Sequence, residues 1–107
     1  MAELLPAPVR ASIDATNTGD QTAFLATFAD DGVVDDWGRE FTGRDEIAGW
    51  SDAEFIGKHV TLEVTNVRNI GHQAVVIAKV GGDGFNGPST FTYDVTGDQV
   101  AKMTIRE

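Results

Sequence analysis

Residues 28–37 read Phe28-Ala29-Asp30-Asp31-Gly32-Val33-Val34-Asp35-Asp36-Trp37, and they place a carboxylate at the end of a short apolar run. Asp30-Asp31-Gly32 is a turn signal, because Asp accepts backbone hydrogen bonds and Gly tolerates positive φ. A helix is therefore expected to stop there. Val33 and Val34 are β-branched, and strand alternation puts Val34 and Asp36 on one face with Val33, Asp35 and Trp37 on the other. If Val34 faces a core, so does Asp36. The plain alternative is that both carboxylates are solvated, as most Asp residues of acidic domains are.

Upstream, Pro6 and Pro8 suit the first turn of a helix, with Val9 and Ile13 following at helical spacing and Asn17-Thr18-Gly19 ending it. Asp20 is a good N-cap for a second helix bearing Phe24, Leu25 and Phe28. Downstream, Gly38 can turn the chain so that Arg39 to Thr42 return as a short partner strand. Gly43-Arg44-Asp45-Glu46 opens a third helix with acids near its positive end, and Ile47 and Trp50 lie one turn apart. Ser51-Asp52-Ala53-Glu54 has the capping-box pattern, which predicts a kink or restart before Phe55-Ile56-Gly57. From His59 onward the period is two. Val60, Leu62 and Val64 alternate with polar residues, Gly71-His72 marks a turn, and Ala74 to Val80 is a second strand, apolar on both faces through Val75 to Ala78. One face of that strand is expected to meet the helices and the other a second subunit. Gly81 to Pro88 reads as a flexible loop, either a lip over a pocket mouth or a dimer-edge loop, followed by strands Ser89–Val95 and Gln99–Arg106.

The 107 residues suit one domain spanning 1–107. A formal net charge of −9 disfavours nucleic acid and anionic membranes, since the eight Lys and Arg form no basic stripe. There is no Cys, so neither a disulfide framework nor thiolate chemistry is available. The stretch Met1 to Pro6 lacks the basic and apolar segments of a signal peptide, and no apolar run reaches membrane-spanning length, so a cytoplasmic protein is expected. The acids around residues 30–36 lack the alternating spacing of a calcium loop and have no adjacent His, so no metal is expected. The glycine-rich loop opens no helix, which argues against phosphate binding. No cofactor is expected.

The element order, with Asn17-Thr18-Gly19-Asp20, residues 28–36 and Phe41-Thr42-Gly43-Arg44-Asp45-Glu46-Ile47, resembles the nuclear transport factor 2-like superfamily, and within it the SnoaL-like proteins, which include polyketide cyclases and sit near ketosteroid isomerases. The resemblance implies an α+β, cone-shaped fold: three N-terminal helices packed on a strongly curved, mainly antiparallel sheet. The strand Ala74 to Val80, apolar on both faces through Val75 to Ala78, is what makes a homodimer through the sheet the expected assembly. Carried across, Asp36 matches the proton-shuttling Asp of ketosteroid isomerases. Their oxyanion-hole Tyr falls at Ser12, and their protonated Asp at about Ser89 or Thr90. Two of those three groups are replaced by hydroxyls, which donate to a carbonyl more weakly than a phenol or a carboxylic acid.

A carboxylate buried under Trp and Phe loses hydration and becomes a better base near neutral pH. Asp36 is thus the candidate catalytic residue. Ser12, Phe41, Trp37, Trp50, Phe55, Thr90 and Tyr93 are the candidate substrate-binding residues, although plain core packing is the stronger expectation for Trp50, Phe55 and Tyr93. His59 and His72 sit at strand and hairpin ends, where exposed His is common. The expected activity is cofactor-independent acid-base chemistry of isomerase or cyclase type on a small hydrophobic carbonyl-bearing molecule. A noncatalytic ligand-binding or homodimeric interaction module on the same fold is the alternative.

Overall fold

The computed structural model describes residues 5–107; the stretch 1–4, read above for a targeting signal, lies outside the described residues. Helix α1 spans Ala7–Thr18 and stops at Gly19, whose φ of 71° is the left-handed cap for which Gly is suited. Asp20 then accepts from the Ala23 N–H at 3.0 Å and starts the short helix α2, Gln21–Ala26. Strand β1 (Phe28–Asp36) turns through Trp37-Gly38 into β2 (Arg39–Thr42). Helix α3 (Gly43–Glu54) and a single 3₁₀ turn (Ile56–Lys58) lead to β3 (Thr61–Ile70), β4 (Gln73–Gly81), β5 (Gly87–Thr96) and β6 (Gln99–Arg106).

All six strands join one sheet in the order β2-β1-β6-β5-β4-β3. Neighbours are antiparallel except β1 and β6, which run parallel, so the sheet is mixed. Here the expected architecture needs correction. The sheet is not strongly curved. Its irregularities are three local register shifts, between Phe28 and Val33, Val64 and Asn66, and Asp94 and Val95, and the parallel pair joins strands from opposite ends of the chain. Nor are all three helices N-terminal, since α3 follows the β1–β2 hairpin.

Two local expectations also change. Asp30-Asp31-Gly32 is no turn: β1 starts at Phe28 and runs through it, and the register shift against β6 absorbs the extra residues as a bulge. Gly32 fits closely there: a Cβ would come within 3.1 Å of the Phe28 ring and 3.0 Å of the Ala29 carbonyl oxygen, so a side chain would require those neighbours to shift by a few tenths of an ångström. Helix α3 neither kinks nor restarts at Ser51. Ser51 is buried, and its hydroxyl donates to Gln21 Oε1 at 2.8 Å, tying α3 to α2 instead of capping a new helix.

The core lies between the helices and one face of the sheet. Along β5 the buried residues Ser89, Phe91 and Tyr93 alternate with half-buried Thr90 and Thr92, and β4 and β6 alternate in step. Val34 and Asp36 share that inner face, as alternation predicted. Aromatic rings form a continuous chain from Phe28 through Phe24, Phe55 and Phe91 to Tyr93, with Trp50 stacked on Phe55 at 4.8 Å.

The outer face holds an acid that alternation placed correctly but whose burial it did not reveal. Asp35 is 8% exposed, covered by a thin layer of side chains on the sheet surface. Arg106 donates to it from Nη1 at 3.0 Å and from Nη2 at 3.2 Å, and the Gly38 N–H adds a bond of 2.8 Å. The Arg106 bonds, then that of Gly38, hold its carboxyl below the usual Asp value against the upward push of burial. A carboxylate with a lowered folded-state pKa stabilises the fold above its unfolded value of about 3.9 and loses that contribution as pH falls through the folded value. Wild type is therefore expected to melt above Asp35→Asn at pH 7, with the gap closing as pH falls below the unfolded value of about 3.9. A gap in melting temperature that does not change with pH would refute the assignment.

Candidate functional site

Asp36 ends β1 opposite Ile105 of β6, which in turn faces Phe91 of β5. These three side chains form one row across the inner face of the sheet. Above the row, Trp50 and Glu54 come from α3, Phe55 follows it, and Lys58 ends the 3₁₀ turn. The space between is a cavity of about 380 Å³ whose other walls include Val60, Val80 and Ser89, with Trp37 and Phe85 at its exposed end. Its lining is largely apolar with a few polar groups, as small-molecule sites generally are.

The polar groups are arranged unequally. Oδ2 of Asp36 accepts from Trp50 Nε1 at 3.0 Å and from Arg39 Nη2 at 2.5 Å, while Oδ1 has no side-chain donor among the described residues. Arg39 is also forked onto Glu54, at 3.1 Å and 2.7 Å, and its guanidinium lies 5.7 Å from the Phe41 ring. The bond from Arg39 lowers the Glu54 carboxyl pKa, and the bonds to Glu54 and then Asp36 raise that of the guanidinium. Asp36 is thus not isolated among aromatic rings. A cation and an indole N–H replace the water it loses on burial, so the carboxylate is held in place with one oxygen open.

Ser89 supplies the second polar group. It is 5% exposed and lines the cavity, and its hydroxyl makes no hydrogen bond among the described residues. That leaves a hydroxyl in the cavity lining with no protein partner, able to donate to what fills the space.

Of the residues nominated from sequence, Asp36, Trp37, Trp50 and Phe55 line the cavity. Phe41 does not: it packs behind Trp50 at 6.0 Å. Thr90 lies on the outer face, paired with Ile77 and Arg106, because β5 alternates the other way and Ser89 takes the inner position. Ser12 and Tyr93 are both fully buried in the core, away from the cavity walls. Burial raises the Tyr93 phenol pKa and its proximity to the Ser12 hydroxyl opposes this, yet Ser12 Oγ completes no hydrogen bond of good geometry among the described residues. His59 is exposed and bonds Asp83 at 2.6 Å outside the cavity. The sequence reading missed Glu54, Lys58, Phe85 and Phe91, and it named Ser89 only as an alternative to Thr90. The period-two pattern of β5 held the signal for Ser89 and Phe91, since Phe91 and Tyr93 fix the parity of the buried face.

Trp37 is 57% exposed and has a φ of 55°, an uncommon conformation for a bulky residue. With Gly38 at φ 92° it makes a two-residue hairpin turn with positive φ at both positions, matching the twist of the flanking strands. The turn thereby sets a large aromatic ring at the cavity mouth. Among the described residues no group of three or more His, Cys, Asp or Glu side chains is placed to share a metal ion, and no helix is long and apolar enough to cross a membrane.

Comparison with known proteins places this geometry. The model of the SnoaL-like domain family matches residues 9–103. A candidate polyketide cyclase of Sinorhizobium meliloti is 30% identical, covers 95% of each chain and superposes with a TM-score of 0.87. A Catenulispora acidiphila protein with a ketosteroid isomerase-like fold, solved in complex with trimethylamine, is 25% identical over 97% of this chain and 87% of its own, with a TM-score of 0.81. A Sphaerobacter thermophilus protein is 29% identical over 92% of this chain and 91% of its own, with a TM-score of 0.76. A search of curated protein sequences returns no match.

Proposed function

Since the chain belongs to the SnoaL-like domain family, we propose that its cavity binds a small, largely apolar molecule carrying a carbonyl group and moves a proton on it without a cofactor. The observation that carries this reading is the pairing in one cavity of a held carboxylate with one open oxygen, on Asp36, and a lining hydroxyl that no described residue hydrogen-bonds, on Ser89. Asp36 Oδ1 takes a proton from the carbon next to the carbonyl. The C–H electron pair passes into the C–C–O system, and the enolate oxygen receives the Ser89 O–H. Where the substrate has a double bond beyond that carbon, the enolate is a dienolate, and returning the proton from Asp36 to its far carbon completes an isomerisation. Attack of the enolate carbon on a second carbonyl of the same molecule forms the ring and an alkoxide, and the proton returned to that oxygen from Asp36 completes a cyclisation. The relative from Catenulispora, with trimethylamine bound, is an example of a related protein binding a small molecule.

One observation favours a second reading, noncatalytic binding by the same cavity. Arg39 and Trp50 both stabilise the Asp36 carboxylate, which suits a fixed hydrogen-bond acceptor as well as a base. The two readings separate on one experiment. Deuterium exchange next to the carbonyl in a panel of small cyclic ketones, followed by NMR, is accelerated by wild type and not by Asp36→Asn if the cavity transfers protons. Binding of the ketones with no exchange in either protein would leave the noncatalytic module.

We also propose that two copies pair through the outer face of the sheet. Val75 and Ile77 of β4 lie there beside Thr90, Thr92 and Thr104, half-buried and turned away from the helices. A twofold pairing of one such face against its copy would remove that apolar strip from water. Light scattering is expected to give twice 11.4 kDa for wild type and 11.4 kDa for Ile77→Lys. A monomeric wild type at micromolar concentration would end the proposal.

A further inference from the structure

Five consecutive residues, Gly82 to Asn86, are exposed and join β4 to β5 beyond the last paired residues, Val80 and Gly87. They nevertheless have a defined path, fixed at one end to the 3₁₀ turn that follows α3. The Asp83 N–H donates to the Lys58 carbonyl at 2.8 Å, and the Asp83 carboxylate meets His59 Nδ1 at 2.6 Å. His59 has a φ of 55°, which ends the 3₁₀ turn. Gly82, at φ 133°, fits against this turn only without a side chain, because a Cβ would lie 2.9 Å from the carbonyl oxygens of both Lys58 and His59. Within the loop, Asn86 Nδ2 donates to the carbonyls of Gly82 and Gly84 at 2.9 Å and 3.2 Å. The result is to deliver Phe85 to the cavity, where it is a wall although its residue is 58% exposed. Its ring rests on Gly87, at which a Cβ would lie 3.3 Å from Cζ.

We propose that Phe85 is a movable wall that controls entry to the cavity, and that the His59–Asp83 pair is the latch holding it closed. This rests on reading the cavity as a ligand site. The latch is weak by construction. Both side chains are mostly exposed, and an exposed ion pair or hydrogen bond contributes little in water. The opposite wall, Trp50 and Phe55, is buried and stacked and does not open at comparable cost. Loop opening therefore exposes the cavity while the aromatic core stays packed, and the size of the group at position 85 decides which ligands pass.

The test uses N-phenyl-1-naphthylamine, a neutral apolar fluorophore whose binding is insensitive to loss of one charge on an acidic surface, followed by stopped flow. Asp83→Asn is expected to raise the association and dissociation rates together by about threefold, the scale of an exposed pair, leaving Kd unchanged. Phe85→Ala raises both rates at least as much, and adding Asp83→Asn to it changes nothing further, because the latch acts through the ring. If wild type binds the fluorophore and Asp83→Asn leaves both rates unaltered, or alters dissociation alone, the latch is refuted and the cavity reading stands. If wild type does not bind it, both fall.

Discussion

Replacing Asp36 by Asn is expected to lower the rate of proton exchange on a bound ketone by about 10²- to 10⁴-fold, the usual contribution of a positioned general base. The amide oxygen can still accept from Trp50 and Arg39, so the side chain keeps its place while the oxygen open to the cavity loses its capacity to take a proton. Stability changes little, in contrast to what an isolated buried carboxylate would give. Such a carboxylate would make the Asn protein clearly more stable at neutral pH, but here the charge that Asn removes is the one Arg39 neutralises. The decisive comparison is therefore exchange rate against affinity. Rate lost at unchanged Kd marks Asp36 as the base. Equal loss of both makes it a binding group, and the noncatalytic reading is then preferred.

Gly57→Ala is expected to lower the melting temperature by roughly 15 °C, corresponding to about 3 kcal/mol of backbone overpacking in a domain of this size. A Cβ at this position would sit 1.6 Å from the Asp52 carbonyl oxygen and 2.6 Å from its carbon. Both are backbone atoms, so no rotamer relieves the contact. The end of α3 or the 3₁₀ turn must move, and with it Phe55, the ring that joins Trp50 to Phe24 and Phe91. Gly49, exposed in the same helix with nothing within 4 Å of a built Cβ, is the control. There Ala should stabilise by about 0.5–1 kcal/mol, because Gly loses more backbone freedom on entering a helix. Circular dichroism melts of the two variants decide the matter. A fall of under about 3 °C for Gly57→Ala would mean that the turn can be laid another way, since each kcal/mol is worth about 4–8 °C here.

How much of this was legible in the sequence varies with the range of the interaction. The end of α1 and the start of α2 were readable because Gly19 and Asp20 act on hydrogen bonds within a few residues of themselves, whereas α2 stops at Ala26 and not at the expected Asp30-Asp31-Gly32. The shared inward face of Val34 and Asp36 followed from strand alternation alone. The same local reasoning misplaced Asp30-Asp31-Gly32, where turn-forming residues serve a bulge, because whether such residues reverse a chain or widen a strand depends on the strand paired beside them. It also selected Thr90 over Ser89, since alternation identifies two faces and only packing says which one meets the helices.

By itself, then, the sequence determined the helix and strand order, the family and a carboxylate aimed inward, because these follow from short-range backbone chemistry and from a period of two. Only the tertiary structure decided what that carboxylate touches. Arg39 lies across a hairpin turn from Asp36, Trp50 and Glu54 come from the next helix, and Ser89 and Phe91 arrive from a strand more than fifty residues away in the chain. Whether Asp36 is a bare buried charge or a clamped, half-open one depends on those long-range neighbours, since electrostatics and desolvation act through space and not along the chain.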